Sequence, residues 1–123
     1  MVITALLLLS AAVSPQSGAA TGGPDTLRRA DAQLNAQYAA TMRQMKANDA
    51  ANAPDAQQGP SYQQALRTAQ QAWIKFRDAN CLSVGYEYRG GSAERLSRGT
   101  CLVDMTKTRT AELRQIARGA QPD

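Results

Sequence analysis

Twelve residues, Gln70 to Cys81, carry the chain's only Trp, its only Phe and one of its two Cys. A chain this poor in large rings must build its core around them. Drawn as a helix at about 100° per residue, Tyr62, Leu66, Ala69, Trp73, Phe76 and Asn80 fall in one arc, with Gln64, Arg67, Gln71, Lys75 and Asp78 opposite. The period predicts an amphipathic helix that starts at Ser61 and stops near Val84 and Gly85. Ser61-Tyr62-Gln63-Gln64 fits a capping box at its start, with Gln64 at the third helical position. Trp73 and Phe76 are the expected core residues.

The helical period recurs on both sides. Upstream, Asp25 is a candidate N-cap, and Leu27, Leu34, Tyr38, Met42 and Met45 share a stripe that should end near Lys46 to Asn48. Asn48 to Pro60 has two Pro, one Gly and no apolar period, which reads as an exposed loop. Downstream, Ser92 can cap a helix whose stripe is Leu102, Met105, Thr106, Arg109, Leu113 and Ile116, with Gly99 as a weak point and Gly119 as a natural stop. No strand pattern competes. The expected fold is all-α, a small three-helix antiparallel bundle with one disulfide. Tyr86-Glu87-Tyr88-Arg89-Gly90-Gly91 connects the last two helices; its tyrosines either fold back over the helices or form a presented contact loop.

Val2 to Val13 form an apolar run centred on Leu6 to Leu9. At about twelve residues it is shorter than the roughly 20 a membrane span needs. It suits the apolar part of a secretory leader, with Ser17-Gly18-Ala19 as a cleavage point, although no Lys or Arg precedes it. No Cys near that point argues for a lipid anchor. The expected organisation is therefore a signal peptide over residues 1–19 and one helical domain over 20–123, with a periplasmic or secreted location. In an oxidising compartment Cys81 and Cys101 should pair; the other reading is two free buried thiols. In a plain hairpin the two would miss level by about 7 Å at 1.5 Å rise per residue. The second helix must then run past Gly85, or the third must begin irregularly.

Each helix carries a polar residue where its stripe calls for an apolar one: Asp31 in the first, Asn80 with Arg77 at the edge in the second, Arg109 in the third. Buried charge is tolerated when paired. The economical inference is a structural polar network in which Asp31 pairs with Arg77 or Arg109.

Enzyme chemistry finds little support. The chain of 123 residues has no His, which removes Ser–His and Cys–His pairs and the commonest metal ligand. No phosphate-binding or dinucleotide-binding glycine motif is present, and no spacing singles out a carboxylate pair. No catalytic residue, cofactor or metal is expected. The net charge of +4 arises after Pro60, where ten basic and six acidic residues lie. Interspersed acids favour a solvated helical surface over a nucleic-acid footprint.

The central stretch also carries a likeness. Leu66-Arg67-x-x-Gln70-x-Ala72-Trp73-Ile74-x-Phe76-Arg77-Asp78-Ala79-x-Cys81, followed by Gly90-Gly91-Ser92, Cys101-Leu102, Thr106-x-x-Arg109 and Glu112-Leu113, resembles the core of the LprI-type lysozyme inhibitor family. Leu34-Asn35-x-x-Tyr38 and Met42 fit that family's first helix, so the resemblance runs from Leu27 to Ile116. Many members carry a further Cys pair in and before the first helix, which this sequence lacks. The resemblance implies a small secreted or periplasmic helical domain, stapled by Cys81–Cys101, that acts by protein–protein contact. The implied partner is a lysozyme, an enzyme type that is commonly basic with an acidic catalytic cleft. A +4 chain would be repelled at long range, so its cations must act locally. The candidate partner-binding residues are Tyr86, Tyr88 and Arg89 on the connecting loop. The alternative is a monomeric envelope module that contacts anionic wall or lipid material through Arg67, Lys75, Arg95, Arg98, Lys107 and Arg114.

Overall fold

Three helices, α1 (Pro24–Asn52), α2 (Tyr62–Gly85) and α3 (Ala93–Gly119), make up the computed structural model, which describes residues 22–52 and 59–119. The expected leader over residues 1–19, its cleavage point and the middle of the expected loop, 53–58, lie outside the described residues. Cross-contacts set the directions. Gly22 touches Gly99 and Thr100, Asp31 meets Arg77, which also reaches Thr106, and Thr41 reaches Leu113. So α1 and α3 run parallel, with α2 antiparallel to both.

Local chemistry explains the ends. The Ser61 hydroxyl accepts from the Gln64 backbone N–H at 3.2 Å, and the Gln64 side chain accepts from the Ser61 N–H at 3.1 Å, closing the capping box. Two expected boundaries of α1 move. Its first residue is Pro24, whose missing N–H costs nothing there. Asp25 is therefore not the cap; it lies in the first turn, paired with Arg28 at 3.3 Å. The helix also continues past Asn48 to Asn52, and side chains along its last two turns hydrogen-bond one another and the backbone. Gln44 donates to the Asn48 side chain at 3.3 Å, and Asn52 donates to the Asn48 carbonyl at 2.8 Å. Asp49 then accepts from the backbone N–H groups of Tyr62 (2.8 Å) and Gln63 (3.1 Å). One carboxylate in the last turn of α1 thus caps free N–H groups at the start of α2.

The core is small. Leu34, Met45, Leu66 and Leu113 are buried together, with Tyr38, Met42 and Trp73 packed against them. Threonines fill positions that larger chains would fill with aliphatics. Thr41, Thr106 and Thr110 are buried, and their hydroxyls donate to the carbonyls of Leu113, Leu102 and Thr106 respectively. Among the described residues no buried side-chain polar atom lacks a partner.

The buried face of α2 differs from the expected one. It consists of Leu66, Gln70, Cys81 and Gly85, with Trp73 and Arg77 half-buried between them. This is the expected arc turned by about 70° at 100° per residue. The turn brings Cys81 to α3 and Arg77 between α1 and α3. It carries Tyr62, Ala69 and Phe76 out to solvent, and Phe76 is 59% exposed. Phe76 is therefore not core. Phe76→Ala is expected to change the unfolding free energy by no more than about 0.5 kcal/mol. A loss of about 3 kcal/mol in chemical denaturation, as for a core Phe, would overturn the rotated face.

On α3 the buried line is Val103, Thr106, Thr110 and Leu113, while Ile116, the last residue of the expected stripe, is 37% exposed. Gly99 neither interrupts nor ends the helix. A Cβ at Gly99 would collide with the Gly22 carbonyl, so this glycine lets the lead into α1 cross α3 backbone to backbone. That crossing fastens the start of α1 in a chain without the second Cys pair.

Candidate functional site

The polar residues from the three stripes divide into two centres. In the first, Arg77 Nη1 donates to Asp31 at 2.9 Å and to the Thr106 hydroxyl at 3.1 Å, and Arg77 also pairs with Asp78 at 3.0 Å. Its guanidinium lies 5.3 Å from the Trp73 ring centroid, and its side chain is only 12% exposed. In the second, Arg109 Nε donates to Gln70 Oε1 at 3.0 Å and Nη1 pairs with Glu112 at 3.0 Å. Arg109 does not reach Asp31. Asn80 joins neither centre; its amide points at sulfur, 3.3 Å from Met105 Sδ and 3.9 Å from Cys101 Sγ. Each of these two cations is thus tied both to another helix and to a carboxylate, Arg77 to Asp31, Thr106 and Asp78, and Arg109 to Gln70 and Glu112.

Cys81 and Cys101 form a disulfide with Cα atoms 5.5 Å apart. Levelling is achieved by the end of α2. A 3-10 turn, Tyr86–Tyr88, follows it directly and carries the helical path past Gly85. Gly85 suits the close approach of α3 there, since a Cβ would sit tightly against Arg98 Cβ and the Glu94 carbonyl at 3.2–3.3 Å. The chain then reverses. Gly90 adopts φ +82°, a left-handed value that suits glycine. Its N–H donates to the Glu94 carboxylate at 2.9 Å, and the Gly91 N–H donates to the Tyr88 carbonyl at 2.9 Å.

The result is a braced tip. Tyr86 and Tyr88 are 42% and 47% exposed rather than folded over the helices. The Arg89 guanidinium stacks 4.5 Å from the Tyr86 centroid. Two clefts flank the tip. Arg95 and Arg98 line one, with Gly91 and Ser92. Val84, Tyr88, Leu96 and Asp104 line the other, of about 500 Å³. Sequence reasoning missed this second cleft, because it needs the end of α2 and one face of α3 together. The remaining outer cations, Arg67, Lys75, Lys107 and Arg114, are exposed along α2 and α3 and share no single face with Arg95 and Arg98. Among the described residues no helix is long and apolar enough to cross a membrane, and no group of three His, Cys, Asp or Glu could hold a metal.

Residues 16–113 match the sequence profile of the family described as Lysozyme inhibitor LprI. An uncharacterised protein of Rhizobium meliloti (strain 1021) is 38% identical over 94 residues, which cover 76% of this chain and 68% of the relative. No solved structure matches the chain significantly. The family is one of inhibitors rather than enzymes. The profile spans all of α1 and α2 and most of α3, and includes both disulfide cysteines: the chain belongs to the LprI lysozyme inhibitor family.

Proposed function

We propose that the protein is a secreted or periplasmic inhibitor that blocks a muramidase by lodging the Tyr86 to Gly91 tip in its catalytic cleft. The observation that carries this reading is Arg89 stacked on Tyr86 at the apex of a disulfide-braced turn. A muramidase cuts its glycan with a pair of carboxylates, so its cleft is locally acidic. A guanidinium on an aromatic platform is suited to such a cleft, and the flanking Tyr88 adds exposed ring surface. The turn is held by its own hydrogen bonds before any partner arrives, which reduces the ordering cost of binding. Envelope attachment through the basic helix faces gains no comparable support, because those cations are spread over different sides of the bundle.

The test is a cell-wall turbidity assay with several muramidase types. The triple variant Tyr86→Ala, Tyr88→Ala, Arg89→Ala is expected to raise the half-inhibitory concentration by about tenfold or more. Its thermal midpoint should stay near that of the wild type, because all three side chains are exposed. Unchanged inhibition by the triple variant would move the site elsewhere. A wild-type protein that inhibits no muramidase, yet pellets with envelope fragments in a salt-sensitive way, would favour the envelope module.

A further inference from the structure

The cleft beside the tip has the chemistry of a receptor for a cationic side chain. Its walls are apolar and open: Val84 is 40%, Tyr88 47% and Leu96 54% exposed. Asp104 stands on its rim. Most acidic side chains of the described residues are engaged. Asp25, Asp31, Asp78 and Glu112 are in ion pairs, and Asp49 and Glu94 accept backbone N–H groups. Glu87 and Asp104 alone have no partner among the described residues; Glu87 lies in the tip turn, and Asp104 lines the cleft about one turn beyond Cys101.

We infer that this cleft binds a Lys or Arg side chain of the partner enzyme, an inference that rests on the inhibitor reading above. The aliphatic stem would lie against Val84 and Leu96. The cationic head would reach Asp104 and the face of Tyr88. The two sides of the tip then have opposite preferences: Arg89 answers an acidic cleft, and Asp104 answers the basic surface around it. Such an arrangement lets a chain of net charge +4 hold a basic partner, since local pairing replaces the missing long-range attraction.

Asp104 is exposed, so Asp104→Asn and Asp104→Lys should fold with wild-type thermal midpoints. Against a basic muramidase that the wild type inhibits, Asp104→Asn is expected to raise the inhibition constant about fivefold to tenfold, and Asp104→Lys by more than about a hundredfold through like-charge contact. Wild-type inhibition left unchanged by both substitutions overturns the cleft while the tip reading stands. If the wild type inhibits nothing, the inhibitor reading fails first, and the cleft is judged alone by NMR titration with N-acetyl-arginine methylamide. Shifts at Tyr88, Leu96 and Asp104 that the uncharged citrulline analogue does not produce would support it. Equal shifts with both compounds, or none, would overturn it.

Discussion

Arg77→Ala is expected to destabilise the domain by about 3 kcal/mol, whereas Asp31→Ala should cost only about 1 kcal/mol. The two residues form one ion pair, so the asymmetry comes from what each leaves behind. Arg77 is 12% exposed at the side chain and Asp31 is 41% exposed. Removing Asp31 leaves the guanidinium still paired with Asp78, hydrogen-bonded to Thr106 and stacked on Trp73. Removing Arg77 empties the space between the three helices and takes the cover off the only Trp. Asp31 and Asp78 can then turn to water, so the loss is packing and register more than stranded charge.

Arg77→Met separates those contributions. It refills the volume without the hydrogen bonds, and its unfolding free energy should fall between the wild type and Arg77→Ala. Denaturant midpoints with unchanged slopes would give the three values on one scale. Equal losses for Arg77→Ala and Asp31→Ala would mean that the pair acts as a unit and that the Trp73 stack contributes nothing.

What the sequence could disclose was local. Ser61 and Gln64 are three residues apart, and their capping box follows from spacing alone. Asp49 capping α2 is as clear a motif in space, but its partners lie thirteen and fourteen residues on, across a loop that spacing rules cannot cross. The face of α2 is hidden from the sequence for a different reason. Hydrophobicity weights Phe76 heavily and Arg77 and Gln70 against burial, yet the disulfide and the Arg77 centre decide the rotation, and both need the other helices present. On α3 the buried Thr106 and Thr110 carry little apolar signal, because their hydroxyls are satisfied by the helix's own carbonyls. At the tip, the loop residues could be named from composition. The stacking of Arg89 on Tyr86 and the cleft at Asp104 could not, since each depends on the 3-10 turn and the closure of two helix ends.

Replacing both half-cystines, Cys81→Ala with Cys101→Ala, should lower the unfolding free energy by about 3 kcal/mol, the loop-entropy value for roughly twenty enclosed residues. In a domain of this size each kcal/mol moves the thermal midpoint by roughly 4–8 °C, so the variant should melt well below the wild type. Ala is the appropriate replacement because Cys81 is fully buried against the Met105 thioether, where a serine hydroxyl would have to find a partner among sulfur atoms. The effect should also be graded along the molecule. The Arg77 and Arg109 centres lie below the bridge and keep their partners, while the end of α2, the 3-10 turn and the start of α3 lose their covalent brace. Hydrogen exchange should therefore quicken first at Val84 to Glu94 and least around Leu34 and Leu113, in conditions where the variant is still folded. If the tip acts pre-formed, inhibition at such a temperature should weaken in step with that exchange, although no contacting side chain has changed. Inhibition that survives intact while exchange at the tip quickens would show that the loop orders on its partner and that the bridge serves stability alone.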